Sequence, residues 1–142
     1  MIVDASVLLR AFLPDESQPH ALAVVRDHVS GKIKLKAPTL LIYELSNAVW
    51  QAERRGRIDR HQTVRILQSF ANLDIEVLPQ AWGEMLPMAR LYERSAYDAA
   101  YLILAEQSGE RFITGDLRLY HAVHKHLDWV LWLEDYPVEA VP

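Results

Sequence analysis

Short runs rich in branched and aromatic residues recur along the chain, and between them apolar positions return every third or fourth residue. The short runs read as buried strands: MIV at 1–3, KLKA at 34–37, IEVL at 75–78, RFIT at 111–114 and WVLWL at 129–133. The intervening pattern predicts helices over 6–13, 17–30, 59–72, 97–108 and 117–127. Another helix starts at Thr39, with Leu41, Glu44, Leu45, Ala48 and Ala52 in step, and stops at Gly56. Arg54 and Arg55 precede that stop, where cations complement a helix C-terminus. Asp59 is placed to cap the next helix. Residues 81–94 also read as helical, with Pro87 kinking the segment or delaying its start. Strands alternating with helices predict an α/β fold with a mainly parallel sheet, and right-handed crossovers place helices on both of its faces.

Composition narrows the class. A chain of 142 residues without repeats, low-complexity tracts or Gly/Ser linkers reads as one domain over 1–142. The absence of cysteine excludes disulfides, cysteine-ligated zinc and thiol catalysis, and suits a reducing cytoplasm. Asp4 and Arg10 interrupt any signal-like apolar core, and no apolar run approaches the roughly 20 residues that span a bilayer. The expectation is a cytoplasmic protein without a membrane partner. The net charge of −4, from 15 basic and 19 acidic side chains, argues against a protein that coats nucleic acid non-specifically. It leaves room for an enzyme that acts on nucleic acid at one acidic pocket, since four clustered carboxylates would account for the whole imbalance.

Four acids are candidates for such a pocket. In open parallel sheets, ligands sit beyond the carboxyl ends of strands near the switch in strand order. Asp4 follows the first strand and Asp116 follows the fourth, separated from it by Gly115 alone. Both therefore belong at one sheet edge, side by side if those strands are neighbours. Asp98 lies in the first turn of the helix leading into the fourth strand, and Glu44 interrupts a helix's apolar side with Asn47 three residues on. Taken singly, Asp4 and Asp116 read first as helix caps, and Asp98 equally as an acid favoured by the helix dipole. Glu44 resists that treatment, because a charge beside an apolar stripe is rarely left unpaired. Four carboxylates together repel one another unless a cation is present, and with no basic residue in their motifs they read as a site for Mg²⁺ or Mn²⁺. Such a site suits phosphodiester hydrolysis. Ser6 and Thr114, each two residues from an aspartate, are placed either to orient water or substrate or simply to cap and pack.

The order MIVDAS…PTLLIYELSNAV…SAYDAAYLILAE…FITGDLRL resembles the PIN-domain family, and within it the VapC-type toxins of prokaryotic toxin–antitoxin pairs. The resemblance runs from residue 1 to about 120. It implies a three-layer α/β/α fold with a five-stranded parallel sheet and Mg²⁺- or Mn²⁺-dependent endoribonuclease activity. It carries the acidic residues over as Asp4, Glu44, Asp98 and Asp116, the asparagine after the glutamate as Asn47, and the hydroxyl before the last aspartate as Thr114. Ser95 stands where many relatives carry threonine, so a hydroxyl is kept. The implied partners are RNA, a small antitoxin encoded elsewhere, and a second copy of the chain as a homodimer. The alternative is a PIN domain that processes or binds RNA without a toxin's role.

Other classes fit less well. Aspartate-nucleophile phosphatases need a second aspartate two residues after the first, and Ser6 stands there. A phospho-accepting receiver needs an aspartate ending the middle strand, which here runs into Leu78 and Pro79. In HAVHKH at 121–126, His121 and His124 share a helix face without a convincing third ligand, so the segment reads as solvated surface rather than zinc site; His126 gets no role. Arg54, Arg55, Arg57, Arg60 and Arg65 are either phosphate or antitoxin contacts or an ordinary basic helix end. Trp129 and Trp132 are expected in edge packing, Trp50 and Trp82 in the core or a dimer contact.

Overall fold

The MIV run builds the centre of the sheet. β1 (Ile2–Val3), 0% exposed at both residues, pairs in parallel with β2 (Lys36–Pro38) on one side and β4 (Phe112–Thr114) on the other. β3 (Glu76–Leu78) extends the sheet beyond β2, and β5 (Val130–Trp132) extends it beyond β4. The order is therefore β3-β2-β1-β4-β5, with every pairing parallel, in a computed structural model that describes residues 1–139. The last three residues of the expected domain lie outside the described residues.

Chain direction sorts the helices. From β1 the chain steps through α1 (Ala5–Phe12) and α2 (Pro19–Val29) to β2, then through α3 (Leu40–Arg54) and α4 (Arg60–Asn72) to β3. It returns through α5 (Met85–Tyr92) and α6 (Ala96–Ser108) to β4, and through α7 (Leu117–Val123) to β5. Because parallel crossovers are right-handed, the reversal in direction puts α1–α4 on one face and α5–α7 on the other. The packing agrees: α1 touches α2, α3 and α4, while α5 packs on α6, which lies across β1, β2 and β4. The strand order reverses between β1 and β4, at the carboxyl ends of those two strands.

Element ends follow local chemistry. Asp59 caps α4 with a reciprocal box, accepting from the Gln62 N–H at 2.8 Å while the Gln62 side chain accepts from the Asp59 N–H at 2.9 Å. Gly109 ends α6 at φ 63°, a left-handed cap natural to glycine. The helix expected over 81–94 begins only at Met85, so Pro87 falls in its first turn, where its missing N–H forfeits no helical bond. The helix expected over 117–127 stops at Val123, because the chain must turn through His124–His126 to enter β5. Trp82 is 98% exposed and is no core residue.

The C-terminal segment is tied down by one buried acid. Asp27 on α2 is 3% exposed and accepts from the Tyr136 hydroxyl at 2.7 Å and from the Arg26 guanidinium at 3.0 Å, with the Lys32 ammonium 3.8 Å away. The Tyr136 hydroxyl, then Arg26 and Lys32, outweigh burial and hold the Asp27 carboxyl below its ordinary value. A carboxylate depressed in the folded state adds stability that is complete above its unfolded pKa and is lost as pH falls through the folded one. Asp27→Asn is expected to cost about 2 kcal/mol at neutral pH, and the difference from the parent should shrink on acidification, as read by urea unfolding across pH.

Candidate active site

The end of β1 and the end of β4 are laced together by side chains. Asp4 ends β1 in extended conformation and caps α1, accepting from the Ser6 N–H at 3.1 Å. The Ser6 hydroxyl donates to the same carboxylate oxygen, and the Thr114 hydroxyl donates to the other at 2.5 Å. Ser6 Oγ in turn accepts from the Gly115 N–H at 2.8 Å, and Thr114 Oγ1 accepts from the Asp116 N–H at 3.0 Å. Asp116 caps α7, accepting from the N–H groups of Arg118 and Leu119 at 3.0 and 3.2 Å. Asp4 and Asp116 are thus the helix caps their positions suggest and also neighbours at the switch point.

Two further carboxylates arrive from opposite faces. Glu44 projects half-buried from α3 and accepts from the Tyr101 hydroxyl of α6 at 2.5 Å. Asp98 sits in the first turn of α6, whose N-cap Ser95 accepts from the Asp98 N–H at 3.0 Å. Asn47, one turn beyond Glu44, is solvent-exposed.

The acids influence one another in a closed ring. Burial first, then the charges of Asp116 and Glu44, push the Asp4 carboxyl up to about 6 against the two hydroxyl hydrogen bonds. Burial and Asp98 raise Glu44, while burial and Asp116 raise Asp98. Each acid is therefore within electrostatic reach of two others. All donors are oxygens and no histidine or cysteine intrudes, which matches the preference of a small hard cation. Among the described residues, no three of these groups already stand close enough to enclose one ion. Glu44 is held by Tyr101 and Asp98 by Arg94.

Arg94 corrects an expectation. The acids' motifs contain no basic partner, yet the Arg94 guanidinium lies on Asp98 at 3.0 Å, four residues earlier in the chain. An i, i+4 pair across a helix start was the available signal. Tyr101 gave no such signal, because it occupies one of seven consecutive buried positions on α6. It is 2% exposed and stacked on Phe112 at 5.8 Å. Burial and the Glu44 charge hold its hydroxyl protonated, far above its ordinary value. Elsewhere, Arg57 of the basic run is committed to Asp15 and Glu16 at 2.7 and 3.0 Å, and Arg54 lies 5.6 Å from the Trp50 ring. The His124 ring stacks on Tyr120 at 4.4 Å, 6.0 Å from the His121 ring, with Nδ1 2.9 Å from the Tyr120 carbonyl.

Asp4 opposes folding when it is charged. With its folded pKa raised from 3.8 to about 6, its contribution falls as pH rises through that interval, by about 3 kcal/mol in full. Asp4→Asn in EDTA should be as stable as the parent near pH 4 and more stable near pH 7, the gap approaching that figure. Chemical denaturation of both proteins across this range checks it.

Comparison with known proteins concerns the chain as a whole. The family model described as PIN domain matches residues 1–125. The chain is 36% identical to Exonuclease VapC9 of Pyrobaculum aerophilum over 114 residues, covering 76% of this chain and 82% of that one. It is 31% identical to Ribonuclease VapC9 of Mycobacterium tuberculosis over 127 residues, covering 84% and 87%. The crystal structure of PAE2754 from Pyrobaculum aerophilum superposes with a TM-score of 0.72 at 28% identity, covering 94% of this chain and 83% of that one.

Proposed function

The chain belongs to the PIN-domain family, with VapC proteins among its relatives, and we propose from that premise that it is a Mg²⁺- or Mn²⁺-dependent endoribonuclease, the toxin of a VapBC-type pair. The observation that supports the proposal is that Asp4 and Asp116 are laced together at the switch point through Ser6 and Thr114, with Glu44 and Asp98 within electrostatic reach from two further elements. These four would hold the cation. It would lower the pKa of a water and neutralise charge developing on the phosphate.

The chain's own groups supply orientation. Ser6 and Thr114 fix both oxygens of Asp4, so that carboxylate presents one rotamer. Tyr101 holds Glu44 in the same way, and Arg94 screens Asp98. The partner reading draws support from α3 and α4. An apolar cleft of about 440 Å³ opens there, lined by Leu41, Ile42, Leu45, Leu67 and Phe70, and Tyr43, Trp50 and Val64 stand half or more exposed nearby. Such a surface suits an antitoxin or a second copy of the chain. No helix among the described residues is long and apolar enough to cross a membrane, and the cysteine-free chain suits the cytoplasm.

One of the relatives is named an exonuclease, so the substrate must distinguish the modes. A circular single-stranded RNA should be opened with Mg²⁺ or Mn²⁺ and left intact with EDTA, since a closed circle offers an exonuclease no end. Asp4→Asn and Asp98→Asn, purified identically, should each lose more than about a hundredfold in rate. Equal cutting by parent and variants would mean a contaminant; cutting of linear RNA alone would replace endonuclease with exonuclease. Tyr101→Phe, which frees Glu44 without a cavity, is expected to cost about tenfold in rate and to raise the Mn²⁺ concentration at half-maximal activity.

A further inference from the structure

A second feature borders the acid ring. A cleft of about 480 Å³ runs from Ser6 and Asp116 past Arg10 and Arg118 to Trp132, with Glu134 on its rim. Resting on the ribonuclease reading, we propose that this cleft is the subsite for a neighbouring nucleotide of single-stranded RNA, with Arg10 and Arg118 taking a backbone phosphate and Trp132 receiving the unstacked base.

Arg10 carries most of the case. It closes the last turn of α1 and donates from Nη1 to the Ser6 carbonyl at 3.1 Å, the one side-chain hydrogen bond it makes among the described residues. It pairs with no carboxylate there, whereas Arg26, Arg57 and Arg94 each do. A guanidinium has five donors in a planar fork suited to phosphate, so most of this one is uncommitted. Its position is left open by a neighbour without a side chain: a Cβ on Gly115 would stand 2.6 Å from Arg10 Nη1 and 3.2 Å from Leu133 Cδ2. Glycine at that position is what lets the cation lie against the strand end, one residue from Asp116. Arg118, exposed in the first turn of α7, adds a second cation to the same cleft.

Trp132 supplies the other half. It ends β5 in direct register with Thr114 of β4, so it stands at the same sheet edge as the acids. Its ring is partly exposed and backed by Tyr120 at 5.5 Å, which is itself stacked on His124. Single-stranded RNA is recognised by this pairing of cationic groove and aromatic platform, since each unstacked base has a face to offer and each phosphate a charge. Glu134 on the rim and Asp116 within repel phosphate, which confines the backbone to the arginine side.

The test is binding, measured apart from cleavage. Anisotropy of a fluorescein-labelled single-stranded RNA hexamer is followed with Mg²⁺ in the cleavage-deficient Asp98→Asn protein, as a function of salt. Adding Arg10→Gln or Arg118→Gln should each weaken binding about tenfold and reduce the slope of log affinity against log salt by about 0.7. Trp132→Leu should weaken binding to a similar degree with the slope kept, and Arg10→Lys should restore the slope. Affinity and slope unchanged in both glutamine variants overturn the subsite while leaving the nuclease intact. Inorganic phosphate displacing the hexamer at comparable concentration also overturns it, as the mark of a simple anion site. Because Arg118 is exposed, its variant decides the matter even if Arg10→Gln fails to fold, with thermal unfolding as the check. A parent chain that neither binds nor cuts RNA removes the ribonuclease reading and this subsite together.

Discussion

Everything at the functional edge depends on two hydroxyls. Ser6 and Thr114 each donate a hydrogen bond to Asp4 and each accept one from a backbone N–H of the segment after β4. The two strands share ladder bonds only over Ile2–Val3 and Phe112–Ile113, so these side chains continue the join where the backbone pairing ends. They set the distance between Asp4 and Asp116, and they do so with neutral donors. A lysine or arginine in their place would satisfy Asp4 equally well and cancel the charge that a cation site needs. Hydroxyls hold the carboxylate and leave it hungry for charge.

That arrangement is costly to the folded state. Asp4 is buried and its two oxygens are satisfied, yet it remains raised to about 6, because burial outweighs two short hydrogen bonds. The surrounding core absorbs the cost: β1, β4 and α6 contribute Ile2, Val3, Phe112, Ile113 and Leu102, all fully buried. By contrast Asp27, equally buried, has a hydroxyl, a guanidinium and an ammonium around it and is depressed. The two aspartates are shifted in opposite directions: at Asp27 the Tyr136 hydroxyl, helped by Arg26 and Lys32, outweighs burial, while at Asp4 burial and the charges of Asp116 and Glu44 outweigh the hydroxyls. One acid fastens the C-terminal segment; the other, on the proposed reading, is left to a cation.

How far the sequence foretold this follows from what each residue needs. Asp4 and Asp116 were legible because a strand end in a parallel sheet points to one edge, and both strands are short apolar runs with little ambiguity. Glu44 was legible because it breaks an apolar stripe. The five strands were visible from their branched apolar content, although they proved shorter and α7 stopped four residues early, ends being set by tertiary turns; their order came only with the fold. Tyr101 was invisible: inside seven consecutive buried positions, a tyrosine is indistinguishable from core until its hydroxyl is seen reaching across the sheet to a residue 57 positions away. Arg94 lies four residues before Asp98, a spacing that signals a pair in the sequence itself. The Arg10 cleft was beyond reach, since it is formed by the end of α1, the glycine after β4 and the tip of β5, which only the folded topology brings together.

Charge around the edge finally ties the proposals to one another. Asp4, Glu44, Asp98, Asp116 and Glu134 face Arg10, Arg94 and Arg118, five negative groups against three positive. Left so, the edge repels a phosphate strand, and the chain's overall −4 does nothing to offset that. On the proposed reading one divalent ion neutralises the excess, and a second would make the edge positive. The strand would then be attracted only when the acids are loaded, while the arginines, standing to one side of the ring, decide which way it lies. Acids that repel the substrate until they are loaded and cations that steer it are therefore two halves of one electrostatic design, and neither half would bind RNA well alone.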